Sequence, residues 1–69
     1  MQFEWTTTIP GSDLVKFTYF ELPDGKAFMT AQIAGHEVVY SVIVERAEHP
    51  FSREGVERRF DYELRSLFH

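Results

Sequence analysis

Two short turn sequences constrain the fold of this chain more than any other feature, because they fix how its alternating segments can pair. Pro23-Asp24-Gly25 is typical of a tight turn, since proline suits the first turn position and glycine adopts positive φ freely. Gly35-His36 fits a two-residue hairpin loop with glycine first. Together with a break at 9–13, these turns predict four β-strands, at roughly residues 2–8, 14–22, 26–34 and 37–45.

The two turns agree on which side chains face the core. A two-residue loop at 35–36 sets Ala34 opposite Glu37, and a three-residue loop at 23–25 sets Leu22 opposite Lys26. Both registers then direct apolar side chains to one face of an antiparallel sheet. We predict that this core face carries residues 15, 17, 19, 27, 29, 31, 33, 38, 40, 42 and 44.

The C-terminal segment, residues 46–69, includes a stretch at 49–69 with the pattern of a helix laid on a sheet. Ser52 is a suitable N-cap, and Phe51 before it is placed to pack on Val56. Apolar side chains recur at helical spacing and form one narrow stripe, at Val56, Phe60, Leu64 and Leu67. The sequence predicts one α+β domain over residues 1–69, a three- to four-stranded antiparallel β-meander with one C-terminal α-helix packed on one face.

The opposite face of the predicted sheet carries an apolar row. In the predicted register, three large apolar side chains lie side by side on this face, namely Phe20, Phe28 and Ile43. Such a group on a solvated face usually means that something covers it. Phe3 and Trp5 of the first strand are one candidate cover, and another chain is the second. A symmetric dimer through this face, or through an edge strand, would also enlarge the small core.

A second candidate contact surface lies on the outer face of the predicted helix. Tyr62 falls there between Arg58 and Arg65, where an aromatic side chain has no core to fill. Arginine and tyrosine are enriched at the energetic centres of protein interfaces. The alternative interpretation is a solvated helix face, with acid-to-arginine pairs four residues apart at Glu54–Arg58 and Asp61–Arg65.

Charge argues against non-specific nucleic-acid binding, because the chain has a formal net charge of −4. Acidic residues dominate 1–45, whereas 46–69 balance five arginines against five acidic residues. Two nucleic-acid hypotheses nevertheless stay open. In one, nucleic acid binds to the arginines of the C-terminal segment, and in the other the acidic sheet mimics nucleic acid. The arginines concerned are Arg46, Arg53, Arg58, Arg59 and Arg65.

Cysteine usage and hydropathy bear on the compartment. The chain contains no cysteine, so nothing in it requires an oxidising environment, and the cytoplasm is the expected location. No apolar run approaches the roughly 20 residues of a membrane span, and the first residues lack the pattern of a signal peptide. We therefore expect a soluble and complete chain without membrane contact.

Catalytic and metal-binding patterns are scarce. His36, His49 and His69 do not have the spacing of a helical metal pair. A glycine-rich phosphate loop and a nucleophile elbow are both absent from the sequence. Glu63 lies at the edge of the apolar stripe, where either a desolvated or an arginine-paired carboxylate fits. The sequence predicts no catalytic residue, metal or cofactor, and a protein that is not an enzyme.

Two resemblances bear on function. One run of residues is followed by Phe51 and a predicted helix, namely Met29, Ala31, Gly35, Val38, Tyr40 and Val42. Through this run, about half of the chain resembles a family of small bacterial domains of unknown function with a hairpin followed by a helix. In size, acidity and lack of catalytic motifs, the chain is similar to small phage-encoded inhibitors, including anti-CRISPR proteins, which occupy a working surface of a host protein. We predict a small module that binds a protein partner and can inhibit it. Its predicted contact residues are Phe20, Phe28, Ile43, Arg58, Tyr62 and Arg65.

Overall fold

A computed structural model describes residues 1–8, 14–37 and 39–67 of the chain. Strands that follow one another along the chain also lie side by side in one antiparallel sheet: β1 (Gln2–Thr8), β2 (Leu14–Glu21), β3 (Lys26–Ile33) and β4 (Val39–Glu45). Two short helices follow, α1 (Arg53–Arg59) and α2 (Asp61–Leu67). The predicted α+β class is confirmed, and the turn predicted at 9–13 lies outside the described residues.

The β2–β3 turn has the conformation that its sequence predicts. Asp24 and Gly25 adopt positive φ, at 36° and 71°. The backbone N–H of Leu22 donates to the carbonyl of Lys26 over 2.8 Å and closes a three-residue loop. Aspartate and glycine tolerate the left-handed region better than most residues do. The turn therefore fixes the point at which the chain reverses.

Both predicted registers are confirmed. Tyr19 lies opposite Met29 in the β2–β3 pair, and Met29 lies opposite Val42 in the β3–β4 pair. The tight turn of the β3–β4 connection lies one residue earlier than predicted, because the His36 N–H donates to the Ile33 carbonyl at 3.1 Å across Ala34 and Gly35. Gly35 is the second central residue of this turn and adopts a φ of 81°. The predicted core face is buried or partly buried at each position described, and Val38 lies outside the described residues.

The core lies between this face of the sheet and the helices. The predicted apolar stripe is confirmed, since Val56, Phe60 and Leu64 are buried and Leu67 packs against them. Trp5 of β1 joins the same core and is 8% exposed. Three side chains of β4 are only partly buried, those of Tyr40, Val42 and Val44. The core is therefore thinner along β4 than along β2 and β3.

The prediction of one C-terminal helix is wrong in number, because the segment forms two helices. Ser52 caps α1 as predicted, and its hydroxyl oxygen accepts the N–H of Gly55 at 2.9 Å. The first helix ends at Phe60, whose φ of −98° and ψ of 4° leave the helical region. Asp61 starts α2, where an acidic side chain is favourable beside the positive end of the helix dipole. Val56 before this break and Leu64 after it are both buried in the core.

Phe51 packs on the N-terminal half of the sheet. Its ring stacks on Phe3, with centroids 3.9 Å apart and planes inclined by 11°. Tyr19 and Trp5 meet the same ring edge-on. The sequence predicts Val56 as the partner of Phe51, whereas the contacts that the structure shows are aromatic ones with β1 and β2.

Candidate protein-interaction surfaces

The outer face of the sheet, opposite the helices, carries the aligned apolar side chains. Phe20 lies opposite Phe28, and Phe28 lies opposite Ile43, on three neighbouring strands. The phenylalanine ring centroids are 6.1 Å apart and the rings are tilted by 35°. Ile43 is 58% exposed. These three residues are called the outer row below.

Phe3 and Trp5 do not cover the outer row. Phe3 lies opposite Tyr19 and Trp5 lies opposite Phe17, and directly opposed residues of paired strands point to the same face. The rings of Trp5 and Phe17 stack with centroids 5.6 Å apart on the core side. The first of the two candidate covers is therefore wrong, because the register of β1 turns its aromatic residues towards the helices.

The surroundings of the outer row are uncharged or internally neutralised. Lys16 Nζ lies 3.4 Å from a Glu4 carboxylate oxygen towards one edge of the sheet, and Lys26 Nζ lies 3.9 Å from a Glu45 oxygen towards the other. Between these ion pairs, hydroxyl groups run parallel to the apolar row, at Thr18, Thr30 and Ser41. This face presents apolar and hydroxyl groups at its centre and balanced charge at its rim, which is the usual anatomy of a protein interface.

The second predicted surface, formed by Arg58, Tyr62 and Arg65, is exposed, but the break between α1 and α2 divides it. Tyr62 is 79% exposed on α2. Arg65 Nε lies 3.0 Å from Asp61 Oδ2, the pair that four-residue spacing predicts. Arg58 is also exposed, but it belongs to α1. Arg58, Tyr62 and Arg65 are thus carried by two helices, and one of the two arginines is already ion-paired.

Four of the five arginines in the C-terminal segment contact an acidic or aromatic side chain of the same chain. These contacts join Arg46 to Glu21, Arg53 to the Trp5 ring, Arg59 to Glu63 and Arg65 to Asp61. A phosphate ligand would have to displace such contacts, which weakens the support for binding nucleic acid through these arginines. Mimicry of nucleic acid is also less well supported, because Glu4, Glu21 and Glu45 are ion-paired. The predicted Glu54–Arg58 pair does not occur among the ion pairs of the described residues.

Two polar contacts attach the connection after β4 to β2. Arg46 Nη1 donates to Glu21 Oε2 at 3.0 Å, and this hydrogen bond lowers the pKa of Glu21. Tyr19 donates its hydroxyl to the His49 carbonyl at 3.3 Å. Burial is the main cause that raises the pKa of Tyr19. These contacts hold the chain that leads from the last strand to the first helix.

One polar contact that the sequence does not indicate links β1 to α1. Trp5 Nε1 donates to Glu57 Oε2 at 2.9 Å, and the Arg53 guanidinium lies 5.6 Å from the centroid of the Trp5 ring. The two hydrogen-bonded residues are 52 positions apart in sequence. No local pattern signals such a pair, because it depends on how the helix is placed on the sheet.

Two further kinds of feature bear on function, metal-ligand clusters and membrane-spanning helices. Within 1–8, 14–37 and 39–67, no three histidine, aspartate or glutamate side chains lie close enough together to hold a metal ion. His69 lies outside these ranges. In the same ranges, no helix is long and apolar enough to cross a membrane.

Comparison with protein-family models, with curated proteins and with solved structures gave no match to this chain. What the chain binds must therefore be inferred from its own surfaces.

Proposed function

We propose that this chain binds a protein partner non-covalently through the outer row and inhibits that partner by covering a working surface. The observation that carries the proposal is the alignment of Phe20, Phe28 and Ile43 on the face opposite the helices, with Ile43 58% exposed. Removing apolar surface from water contributes about 25 cal/mol per Å², from which the entropic costs of association are subtracted. Small phage-encoded inhibitors, which the chain is similar to in size and acidity, include proteins that act by covering a working surface.

The surroundings of the row indicate the chemistry of the partner. Aromatic side chains commonly anchor interfaces, and the Phe20–Phe28 pair supplies two adjacent rings. The flanking charges are balanced within the chain, at Glu4–Lys16 and Lys26–Glu45. The expected partner surface is therefore apolar at its centre and free of strong charge. The cytoplasm is the proposed compartment, because a chain without cysteine needs no oxidising environment.

The substitution Phe28→Asp tests this proposal. The side chain points away from the core face, so we expect the variant to fold, with a wild-type circular dichroism spectrum. Burying an unpaired carboxylate in an apolar contact costs several kcal/mol, so partner affinity should fall by about a hundredfold or more. Gln32→Asp is the matched control, because Gln32 lies on the same strand and face and is exposed.

The measurement has two steps. Proteins captured from the native host by the wild type and by Gln32→Asp, but not by Phe28→Asp, are identified by mass spectrometry and purified. Calorimetry on the purified pair then gives the affinity of each variant. Ile43→Asp replaces Phe28→Asp if the latter does not fold, because Ile43 is the more exposed residue. Equal affinity of a folded outer-row variant and the wild type would refute the proposal and leave the Arg58, Tyr62 and Arg65 surface.

A further inference from the structure

Before Glu45, the β4 edge of the sheet lacks the features that usually protect an edge strand. Proteins block strand edges with charged side chains, proline or bulges. The sequence of β4 is VYSVIVE, with no proline or glycine and no charge before Glu45. Its pairing with β3 runs residue by residue over 26–32 and 39–45, without a bulge. On the opposite edge, β1 carries the charge of Glu4 near its middle.

Particular backbone groups of β4 point away from the sheet. The N–H of Arg46 donates to the Gly25 carbonyl at 2.9 Å. Along an antiparallel strand, residues that bond to the neighbouring strand alternate with residues that point away from it. Because Arg46 bonds to the chain at the start of β3, the even-numbered residues of β4 also bond to β3. The odd-numbered residues Val39, Ser41 and Ile43 direct their N–H and C=O groups outwards. Glu45 directs its N–H outwards, but its carbonyl accepts the N–H groups of Glu48 and His49 at 3.1 and 2.9 Å. In the described part of the chain no strand pairs with this edge.

We propose that β4 pairs antiparallel with β4 of a second copy of this chain, about a two-fold axis beside Val42. Val39 then lies opposite Glu45 of the second copy, and Ser41 lies opposite Ile43. This register pairs Ser41 and Ile43 in full and lets the Glu45 N–H donate to the Val39 carbonyl of the second copy, while the Glu45 carbonyl keeps its bonds to Glu48 and His49. A shift by two residues in either direction leaves the core-side residue Tyr40 or Val44 without a partly buried β4 partner. The two sheets join into one continuous sheet without edges at its centre.

Side-chain chemistry favours a second copy as the occupant. On the core side, the register sets Val42 opposite Val42 and Tyr40 opposite Val44 of the second copy. These three side chains are only partly buried in one chain, so the pairing completes their burial. Glu45, the only charge in the strand, meets Val39 and no like charge. A strand that complements itself in this way suits a two-fold interface, where the same patch serves both partners.

The inference does not depend on the proposed function of the outer row. Phe20 and Phe28 lie on β2 and β3, away from the β4 edge. Ile43, the third residue of the outer row, lies on β4 itself, so only the phenylalanine variants separate the two proposals. The joined sheet carries the outer rows of both copies on one face, so a partner would meet two equivalent contact sites. Phe28→Asp is accordingly expected to leave self-association unchanged even where it abolishes partner binding.

Ser41→Pro tests the pairing. Its N–H points outwards, so proline removes an edge donor without breaking the β3–β4 ladder. Because the interface is two-fold symmetric, each dimer loses two intermolecular hydrogen bonds, one from each copy. The dissociation constant of the dimer should therefore rise about tenfold or more. Thr6→Pro is the matched control, since even-numbered residues of β1 also point outwards, as the bond from Glu21 N–H to the Met1 carbonyl indicates. Sedimentation equilibrium should show a dimer for the wild type and Thr6→Pro, and a folded monomer for Ser41→Pro.

Single cysteines test the register independently of proline. The chain has no native cysteine, and Val42 would face its own copy in a non-hydrogen-bonded pair, with Cα atoms about 4.5 Å apart. Val42→Cys should therefore form an intermolecular disulfide on mild oxidation. Val44→Cys should not, because Val44 faces Tyr40 and lies about 13 Å from its own copy.

Four results would overturn the inference. One is a wild-type protein that stays monomeric at the highest soluble concentration. The second is a folded Ser41→Pro variant that dimerises as the wild type does. The third is a dimer that dissociates with Phe28→Asp, since that indicates face-to-face association. The fourth is equal cross-linking of Val42→Cys and Val44→Cys, which indicates another strand register. If Ser41→Pro does not fold, the cysteine pair decides.

Discussion

Phe60 combines two roles that the fold requires, because it ends the first helix and fills the centre of the core. Its side chain is among the largest that are fully buried, and its ring lies 6.5 Å from that of Phe17. We expect Phe60→Ala to lower the free energy of unfolding by about 3–5 kcal/mol, measured by urea denaturation. Tyr62→Ala, two residues away and largely exposed, is the control and should change it by less than about 0.5 kcal/mol. Similar losses for both variants would mean that the helices pack by another face.

Glu21 should make stability depend on pH. The hydrogen bond from Arg46 lowers its pKa below the ordinary value of 4.5, so the unfolded chain binds a proton at a higher pH than the folded chain. The stabilising contribution is therefore present above that ordinary value and is lost as the pH falls through the lowered folded pKa. We expect Glu21→Gln to be slightly less stable than the wild type at neutral pH, with the difference disappearing in acid. The effect is small, because both side chains are partly exposed.

Arg46→Gln supplies the complementary measurement for this pair. Removing the guanidinium abolishes the same hydrogen bond, so thermal denaturation should reveal the same convergence with the wild type as the pH is lowered. The double variant should behave as Glu21→Gln does, since the Arg46 hydrogen bond can be lost only once. Arg46→Gln should lose less, because the N-terminal ammonium group of Met1 still lies 3.4 Å from Glu21. Additive effects of the two substitutions would show that Glu21 and Arg46 do not act as a pair.

The elements that the sequence predicts well are those set by neighbouring residues. The β2–β3–β4 register follows from two turns and from strict alternation, because both act over a few positions. The outer row follows from the same register. The break at Phe60 was not predicted, since the stripe of apolar residues continues through it. Asp61, directly after a buried residue, was the available signal for a second helix start.

Local sequence patterns do not predict to which face of the sheet β1 contributes its aromatic residues. Its aromatic residues, Phe3 and Trp5, alternate with polar ones, which predicts one apolar face but not which face of the sheet it joins. That choice depends on contacts far apart in sequence, such as the Trp5–Glu57 hydrogen bond. Whether an exposed surface binds a partner depends likewise on a molecule outside the chain.

Hydrogen exchange should distinguish the strands. β2 and β3 have a neighbour on both sides, so their amides should be protected most. In β4, the outward-directed amides of Ser41 and Ile43 should exchange quickly in dilute solution and become protected as the concentration rises. Tyr40 and Val42, which bond to β3, should stay protected throughout. Concentration-independent exchange at Ser41 and Ile43 would contradict pairing at this edge.

A chain of 69 residues has little interior, and the arrangement of its two faces reflects this. A domain of this size buries only about 60% of the surface of its unfolded chain. Here the aromatic residues of β1 and β2, together with Phe60, concentrate burial on one side of the sheet, while β4 is left partly covered. Association along β4 adds burial where the single chain has least, so folding and self-association should be coupled.

This coupling can be measured as a dependence of the thermal midpoint on protein concentration. If folded chains pair through β4 and unfolded chains do not, mass action stabilises the folded state more at higher concentration. Over about a hundredfold range of concentration, we expect the wild-type midpoint to rise by several degrees, because a small domain gains several degrees per kcal/mol. Ser41→Pro should unfold at a midpoint that does not change over the same range, whereas Thr6→Pro should follow the slope of the wild type. A flat wild-type profile, or a Ser41→Pro slope equal to that of the wild type, would show that the stability of this fold is independent of its β4 edge.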